Sequence, residues 1–258
     1  MELSEAQFER YARHLVLDEV GEEGQQKLLQ SRVLVIGAGG LGSPLLLYLA
    51  AAGVGALGIV DNDEVDLSNL QRQIVHVTES IGAPKVESAR RTLGHINPEV
   101  KIETHALRLD ESNAAALVGQ YDLVADGSDN FATRYLLNDV CYRLKKPLIG
   151  AALSPFDGQL STFKAYLGPP HPCYRCLFRE PPPPDSVPRC ETAGILGAIA
   201  GVMGTLQATE VLKELLGIGE SLSGTLLVYD ALRAGFHSIK LPRDPDCPTC
   251  GALGGTKP

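Results

Sequence analysis

A glycine-rich turn between two apolar runs limits the fold of this chain more than any other feature. The turn is Gly37-Ala-Gly-Gly-Leu-Gly42, with apolar residues 33–36 before it and 45–50 after it. A strand, a tight glycine turn and a helix N-terminus together form a phosphate cradle from backbone N–H groups and the helix dipole. The candidate phosphate-binding residues of this turn are Gly37, Gly39, Gly40 and Gly42.

An acid and several polar side chains follow the next apolar run. Asp61 ends that run about twenty residues after the turn, where a dinucleotide-binding fold places the acid that holds ribose hydroxyls. These two features fit an NAD-dependent dehydrogenase as well as an ATP-binding protein. Asn69, Arg72 and Gln73 come next, and Lys85 follows at a predicted helix start. Two cations directed at phosphates favour a triphosphate over a nicotinamide.

Composition excludes several classes of protein. The formal net charge of −8 argues against sequence-independent nucleic-acid binding, which depends on a basic surface. The uncharged stretches 41–60 and 192–209 are interrupted by glycine, proline or polar residues, so we expect neither to span a membrane. The N-terminus has no basic region followed by an apolar core, so a cytoplasmic location is expected.

Alternating helix and strand signals run through the first 151 residues. Ser4 and Gln7 form a capping-box pattern that opens a helix to about Val16, and Arg13 lies on this helix. Further elements are predicted as a helix at 85–97, a strand at 101–106, a helix at 112–120, a strand at 122–125, a helix at 131–144 and a strand at 147–151. We therefore expect an α/β fold with a Rossmann-like, doubly wound and largely parallel sheet.

The predicted strand at 122–125 brings two further acids to the expected ligand-binding edge. Asp126 and Asp129 come directly after this strand. In an open α/β sheet, ligands bind outside the carboxyl ends of the strands. Both carboxylates are therefore expected near the glycine turn.

The second half of the chain has a different pattern. Strands are predicted at 159–166, 225–229 and 236–241, with no helix between the last two, which favours an antiparallel extension of the same sheet. The proline-rich stretch 180–188 predicts an exposed loop. We expect one domain over 1–258, with a nucleotide-binding half at 1–151 and a second half at 152–258.

Four of the six cysteines form two CxxC pairs, Cys173 with Cys176 and Cys247 with Cys250. Two such turns can close a structural zinc site with four thiolate ligands, and disulfides or redox pairs are the alternatives. Cys141 is expected to be a small apolar core residue.

Cys190 follows the proline-rich stretch and precedes the glycine-rich stretch 194–204. A helix N-terminus and the neighbouring Arg189 would lower the pKa of its thiol. Cys190 is therefore a candidate nucleophile for an acyl intermediate, and an incidental exposed cysteine is the alternative.

Together these motifs resemble the ubiquitin-activating-enzyme-like family, and within it the bacterial MoeB/ThiF group, from about Arg10 to Cys250. The group adenylates the C-terminal Gly-Gly of small ubiquitin-fold sulfur carriers. The matching motifs are the glycine turn, Asp61-Asn-Asp63, residues 67–73, Pro84-Lys85, residues 126–130, residues 172–176, Cys190 and residues 247–250.

The resemblance implies ATP and Mg²⁺ as cofactors, beside Zn²⁺ at the cysteines. The implied roles are ribose binding by Asp61, phosphate binding by Asn69, Arg72, Gln73 and Lys85, magnesium binding by Asp129, and a contribution from Arg13 of a second subunit in a homodimer. An ionised carboxylate attacks the α-phosphate in this reaction, so no general base is needed. Alignment and charge neutralisation supply the catalysis.

The resemblance also implies partners. We expect residues 152–258 to bind a small ubiquitin-fold sulfur carrier that ends in Gly-Gly, and a separate protein to donate the sulfur. The carrier can be that of molybdopterin, thiamine or tRNA thiolation, and Cys190 can be an acyl or persulfide carrier or dispensable. Two other classes remain as hypotheses: an NAD-dependent oxidoreductase with a structural zinc, and a noncatalytic nucleotide-binding adaptor.

Overall fold

An eight-stranded sheet organises the chain in the computed structural model, which describes residues 2–183 and 194–251. The strand order is β3-β2-β1-β4-β5-β6-β7-β8. The strands are β1 Arg32–Ile36, β2 Ala56–Val60, β3 Lys101–His105, β4 Leu123–Asp126, β5 Leu148–Leu153, β6 Asp157–Phe163, β7 Thr225–Asp230 and β8 Gly235–Lys240. Pairs from β3 to β5 are parallel and pairs from β5 to β8 are antiparallel, which confirms the predicted sheet.

Helices cover both faces of the sheet. They are α1 Glu5–Arg10, α2 Ala12–Leu15, α3 Gly21–Gln30, α4 Gly42–Ala51, α5 Lys85–Ile96, α6 Ala114–Val118, α7 Phe131–Leu144, α8 Tyr174–Leu177 and α9 Gly197–Leu216. Helices α3, α4, α5 and α9 contribute to one apolar core, while α6, α7 and α8 contribute to the core on the other face. Among the described helices, none combines the length and apolar character that a membrane crossing would require.

The central strands are apolar on both faces because both faces are covered. In β1, Val33 and Val35 belong to the core beneath α4, and Leu34 and Ile36 belong to the core beneath α7. Every residue of β2 is buried. The sheet therefore holds the carboxyl ends of β1, β2 and β4 at one rigid edge, where the glycine turn begins.

The structure corrects three predictions about element boundaries. The first predicted helix is broken at Tyr11 into α1 and α2, although the capping box of Ser4 and Gln7 is present. The strand expected at 159–166 ends at Phe163, because Lys164 leads into the 3₁₀ turn Ala165–Leu167. The helix expected at 112–120 is shorter, and α3 was not predicted.

Candidate functional site

The glycine turn joins β1 to α4 at the carboxyl edge of the sheet. Gly37 has a φ of +92°, a left-handed conformation that favours glycine. A Cβ on Gly42 would overlap the carbonyl oxygen of Gly37, so the turn closes tightly only without side chains. Within the described residues, the N–H groups of Gly39 and Gly40 donate no hydrogen bond. They are available to an anion at the start of α4.

Asp61 holds this turn in shape. Its Oδ2 accepts a hydrogen bond from the N–H of Ala38 at 2.8 Å, and its Oδ1 accepts one from the N–H of Asp63 at 2.9 Å. The side chain expected to bind ribose thus also orders the candidate phosphate cradle. The structure brings Asp61 and the turn together, as the sequence predicted.

The segment after Asp61 folds back over the turn. A 3₁₀ turn, Leu67–Asn69, is capped by Asp66, and the N–H groups of Arg72 and Gln73 donate to the carbonyl of Asn69 at 3.1 and 3.0 Å. The Cγ atom of Arg72 lies 3.5 Å from the position that a Cβ would take on Gly40. This segment therefore carries its polar side chains to the glycine turn.

Gln73 and Arg72 differ in how they are held there. Gln73 is buried, with 4% of its surface exposed, and its Oε1 atom has no hydrogen-bond partner among residues 2–183 and 194–251. Arg72 is half-buried and donates from Nη1 to the carbonyl of Ser68 at 3.1 Å. An unpaired buried amide oxygen is costly, so Gln73 is suited to meet a further group.

Lys85 reaches the same edge from the first residue of α5. Its Nζ lies 2.9 Å from Oδ2 of Asp63, and its side chain is 7% exposed while that of Asp63 is 60% exposed. The sequence predicted the cation near the turn but gave no role to Asp63 as its partner.

Two carboxylates lie at the carboxyl end of β4, as predicted: Asp126 is the last residue of the strand and Asp129 lies three residues later. Their environments differ. Asp126 is buried and its Oδ1 accepts from the N–H of Ser128 at 2.9 Å; burial raises the pKa of this carboxyl group. Asp129 is exposed, immediately before the N-cap of α7. The carbonyl oxygen of Gly127 lies 3.1 Å from the position of a Cβ on Gly37, so this loop adjoins the glycine turn.

Arg13 does not join these residues in the same chain. It is exposed on α2, close to Tyr11, whose ring lies against Gly53 and whose hydroxyl accepts from Asn97 at 2.9 Å. Gly53 and Asn97 precede β2 and β3, so α2 lies at the amino edge of the sheet. Five-residue strands separate the two edges by roughly 16 Å. Arg13 is thus remote from the glycine turn of its own chain.

His76 is a further candidate site residue that the sequence did not predict. It is buried beneath the glycine turn, where its Nε2 lies 2.8 Å from the carbonyl oxygen of Ala38. The one available signal was its position three residues after Gln73, in the segment that folds over the turn.

The two CxxC pairs form one cluster. Cys173 Sγ lies 3.4 Å from Cys247 Sγ, Cys176 Sγ lies 3.4 Å from Cys250 Sγ, and all four sulfur atoms lie within 4.8 Å of one another. Four sulfurs around a zinc ion at about 2.3 Å have similar separations, whereas a disulfide bond is about 2.05 Å long. The cluster therefore fits Zn²⁺ as a structural ion.

One thiol of the cluster is predisposed to ionise. Hydrogen bonds from Cys173 and Cys250, together with the N–H of Asp244, lower the pKa of Cys176. Donation of its thiol proton to Cys176 raises the pKa of Cys173. Thiolates are the form that binds zinc. Cys141 lies apart in the core, and burial raises the pKa of its thiol, as expected for an inert core residue.

Both CxxC turns are tied to α7. Asp139 on α7 accepts hydrogen bonds from Nε and Nη2 of Arg175 at 3.2 and 2.9 Å, and from Oγ1 of Thr249 at 2.8 Å. Arg175 also lies over the ring of Tyr135, 4.5 Å from its centroid. The candidate zinc site therefore braces the helix that starts beside Asp129. Cys190, the candidate nucleophile, lies outside the described residues.

Comparison with known proteins gives a family and several relatives. Residues 11–249 match the ThiF family. The SAMP-activating enzyme E1 of Haloferax volcanii is 51% identical over 254 residues, which cover 98% of this chain and 93% of the relative. The sulfur carrier protein adenylyltransferase of Thermus thermophilus is 49% identical over 253 residues, or 97% and 93% of the two chains.

A longer relative and a solved structure are also similar to this chain. The adenylyltransferase and sulfurtransferase MOCS3 of Aedes aegypti is 49% identical over 249 residues, which cover 96% of this chain and 56% of the relative. The crystal structure of E. coli MccB with MccA-N7isoASN superposes with a TM-score of 0.80 at 22% identity, covering 95% of this chain and 74% of MccB. At that identity the structural likeness concerns the fold alone.

Proposed function

The chain belongs to the ThiF family, and we propose that it uses ATP to adenylate the C-terminal glycine of a small ubiquitin-like sulfur-carrier protein. The observation that carries this proposal is the position of two cations near the glycine turn: Arg72 lies against Gly40, and Lys85 pairs with Asp63, whose N–H donates to the Asp61 carboxylate that holds the turn. Two cations beside a cradle of free N–H groups suit a polyphosphate. A nicotinamide dinucleotide also carries two phosphates, but hydride transfer breaks no bond to phosphorus, so cations there would have no leaving pyrophosphate to stabilise.

In the proposed reaction, the carboxylate of the carrier attacks the α-phosphorus of ATP. The new bond joins a carboxylate oxygen to that phosphorus, and the bond to the bridging oxygen breaks, so pyrophosphate leaves with the electron pair. Lys85 contacts the phosphate under attack, while Arg72, Asn69 and Gln73 bind the other phosphates and Asp61 binds the ribose. These groups align the two reactants and offset their negative charge.

Asp129 is the proposed magnesium ligand. Its carboxylate is exposed at the edge beside the glycine turn, whereas Asp126 is buried with a raised pKa. Carboxylate oxygens are ligands that Mg²⁺ prefers, and the ion would neutralise the leaving pyrophosphate. We assign Zn²⁺ to Cys173, Cys176, Cys247 and Cys250 as a structural ion that takes no part in the reaction.

We propose that the second half, residues 152–258, receives the carrier. Exposed apolar side chains lie on or beside β6, β7 and β8, and their exposed fractions are between 44% and 74%: Phe156, Leu232, Phe236 and Ile239. Phe156, Leu232 and Phe236 lie at the same end of β6, β7 and β8, whereas Ile239 points to the opposite face of β8. Apolar side chains that are exposed together commonly mark a protein contact. A separate protein would then donate sulfur to the activated carrier.

We further propose a homodimer in which Arg13 of one subunit enters the site of the other. Arg13 is exposed and remote from its own glycine turn, so a second copy is the way for it to reach a nucleotide. A group of exposed apolar side chains near α2, α4 and the segment after Asp61 suits such an interface: Val16, Leu17, Tyr48, Leu67, Ile74, Val77 and Ile81.

Isotope exchange between pyrophosphate and ATP tests the proposed function. The purified chain is mixed with candidate carriers ending in Gly-Gly. We expect exchange that depends on the carrier, collapses in Arg72→Ala and Lys85→Ala, and survives in Cys190→Ala, because the exchange step needs no thiol. Exchange that is indifferent to both cation substitutions would contradict the assignment.

A further inference from the structure

A buried histidine joins the glycine turn to α5. His76 is 5% exposed; its Nε2 lies 2.8 Å from the carbonyl oxygen of Ala38, and its Nδ1 lies 2.9 Å from Oγ of Ser88. Ser88 is on α5, three residues after Lys85. One imidazole ring therefore spans the distance between the phosphate cradle and the helix that carries the lysine.

The two partners fix the tautomer of this ring. A carbonyl oxygen can only accept, so Nε2 carries the proton and donates it to Ala38. In the neutral ring Nδ1 is then bare and accepts from the hydroxyl of Ser88. Burial lowers the pKa of His76, and the nearby charge of Lys85 adds to this effect, so the neutral form is favoured.

Both polar backbone groups of Ala38, its N–H and its carbonyl, are hydrogen-bonded to side chains. Asp61 accepts the hydrogen bond from its N–H at 2.8 Å, and His76 donates to its carbonyl at 2.8 Å. The next residues of the turn, Gly39 and Gly40, present the N–H groups proposed to bind phosphate. Rotation of the Ala38 peptide would reorient these N–H groups, since consecutive peptide planes share a Cα atom.

The backbone of His76 is also part of the site. Its N–H donates to the carbonyl of Gln73 at 3.0 Å. His76 thus connects three segments proposed to touch ATP: the glycine turn, the segment of Arg72 and Gln73, and the start of α5.

We propose that His76 is a positioning residue, whose Nε2–H holds the Ala38 carbonyl so that the glycine turn and Lys85 converge on the same phosphates of ATP. This inference rests on the proposed function. A purely structural side chain at this buried place could be apolar, and would avoid the desolvation of an imidazole. The geometry instead ties the polar ring to two elements that bind one ligand.

Paired substitutions separate the two hydrogen bonds. In His76→Gln, the side-chain amide takes the place of Nε2 and keeps the hydrogen bond to the carbonyl of Ala38. In His76→Asn, the shorter side-chain amide takes the place of Nδ1 and keeps only the contact with Ser88. We expect His76→Asn to weaken ATP binding by about tenfold, the effect of one lost hydrogen bond, and His76→Gln to stay within about threefold of the unchanged protein.

The measurement is ATP affinity by calorimetric titration of the full chain without a carrier, followed by the KM for ATP and the kcat of carrier-dependent exchange. The KM should follow the same order as the affinity, with a smaller change in kcat. His95→Gln, at an exposed position on α5, is the matched control and should leave both unchanged. Thermal unfolding of each variant shows whether the fold persists.

Several results would overturn the inference. Equal ATP affinity in all variants, with only a lower unfolding temperature, would make His76 a structural residue. Better binding in His76→Asn than in His76→Gln would assign the effect to Ser88 instead. If His76→Asn does not fold, Ser88→Ala is the deciding variant, because it leaves the hydrogen bond between His76 and Ala38 intact. A loss of ATP affinity in Ser88→Ala greater than that in His76→Gln would contradict the inference. Failure of the unchanged protein to bind ATP would contradict the proposed function first.

Discussion

Lys85 and Asp63 form an ion pair of unequal burial at the carboxyl edge of the sheet, with 2.9 Å between Nζ and Oδ2. The lysine side chain is 7% exposed and the aspartate side chain is 60% exposed. The exposed carboxylate can return to water, but the buried ammonium group depends on its partner. In the free protein, Asp63 is therefore the counterion of the lysine that we propose to bind a phosphate of ATP.

This difference in burial predicts that the variant with the larger loss of stability is not the variant with the larger loss of activity. Without ATP, Asp63→Asn should destabilise the fold by about 1–3 kcal/mol, because it leaves a buried charge without its counterion. Lys85→Met should cost less than about 1 kcal/mol, because it leaves only an exposed carboxylate. In exchange activity the order should reverse, with Lys85→Met the more damaged. Chemical denaturation and pyrophosphate exchange on the same samples check both orders.

Equal stability losses in the two variants would contradict the role of burial. Retained exchange in Lys85→Met would contradict contact between Lys85 and ATP. Glu64→Gln, at an exposed position next to Asp63, also removes one negative charge; it is the control and should match the unchanged protein in the denaturation experiment.

The sequence predicted the parts of the site that depend on local pattern. The glycine turn was found because backbone with positive φ needs glycine, and α7 was predicted with its observed bounds, Phe131–Leu144, where Asn130 caps the N-terminus. By contrast α3 was missed, because its sequence is polar and only Gln25 and Leu28 are buried in it. Its periodic signal was too weak.

Long-range pairings in the site could not be predicted from local pattern. His76 meets a carbonyl 38 residues earlier in the chain, and Lys85 meets a carboxylate 22 residues earlier. Histidine and aspartate occur on many surfaces, so nothing in their spacing shows that one is buried and the other is a partner. Only the fold of the segment between Asp61 and α5 brings them together.

Two glycines of α9 should respond differently to alanine. A Cβ on Gly204 would overlap the carbonyl oxygen of Leu41 and the ring of Pro44, whereas a Cβ on Gly201 meets nothing within 4 Å among the described residues. Gly204→Ala should destabilise the fold by about 1–3 kcal/mol and weaken ATP binding, since Leu41 belongs to the glycine turn. Gly201→Ala should stabilise the helix by about 0.5–1 kcal/mol.

Thermal unfolding and ATP titration of the two variants check this prediction. Both variants replace glycine by alanine within α9, so the comparison isolates the contact with α4. A similar gain in stability in both variants would show that α9 and α4 are not in close backbone contact.

Removal of zinc should loosen α7. We expect about one zinc per chain by atomic absorption, and its loss in Cys247→Ser. Because Asp139 ties both CxxC turns to α7, the metal-free protein should unfold at a lower temperature. Cys141→Ala is the control and should keep its zinc, since Cys141 lies in the core. A zinc content near zero, with all thiols reduced and titratable, would remove the site.

Glu103 should make stability depend on pH. Burial raises its pKa, but hydrogen bonds from Lys101, Tyr121 and Arg32 outweigh this and hold the pKa at about 2, below its ordinary value of 4.5. A carboxyl group with a lowered pKa in the folded state stabilises the fold above the unfolded pKa, and this contribution is lost as the pH falls from 4.5 towards 2. The window for measurement therefore lies between pH 4.5 and about pH 2.

Denaturation at pH 7 and pH 3.5 measures this effect. The unchanged protein should lose about 1 kcal/mol more than Glu103→Gln between these two values. Glu111→Gln, at an exposed position, should lose as much as the unchanged protein. Identical losses in all three proteins would show that Glu103 contributes no linked stability.

Mixed dimers test whether Arg13 acts across the subunit interface. Arg13→Ala and Lys85→Ala should each abolish exchange alone. In a mixed dimer, one site would take its intact Lys85 from one subunit and its intact Arg13 from the other, while the second site would lack both. Random pairing should restore about a quarter of normal activity, because half of the dimers are mixed and each has one complete site.

A matched mixture gives the control. Lys85 and Arg72 are proposed to serve the same site within one chain, so mixed dimers of Lys85→Ala with Arg72→Ala contain no complete site and should stay inactive. Subunit exchange is verified by co-purification through a tag on one variant. If exchange is restored in the mixture of Arg13→Ala with Lys85→Ala but not in the control mixture, each site must take one cation from each subunit. Since Arg13 lies at the opposite edge of the sheet from its own glycine turn, an inactive mixture of verified hybrid dimers would exclude Arg13 from the site.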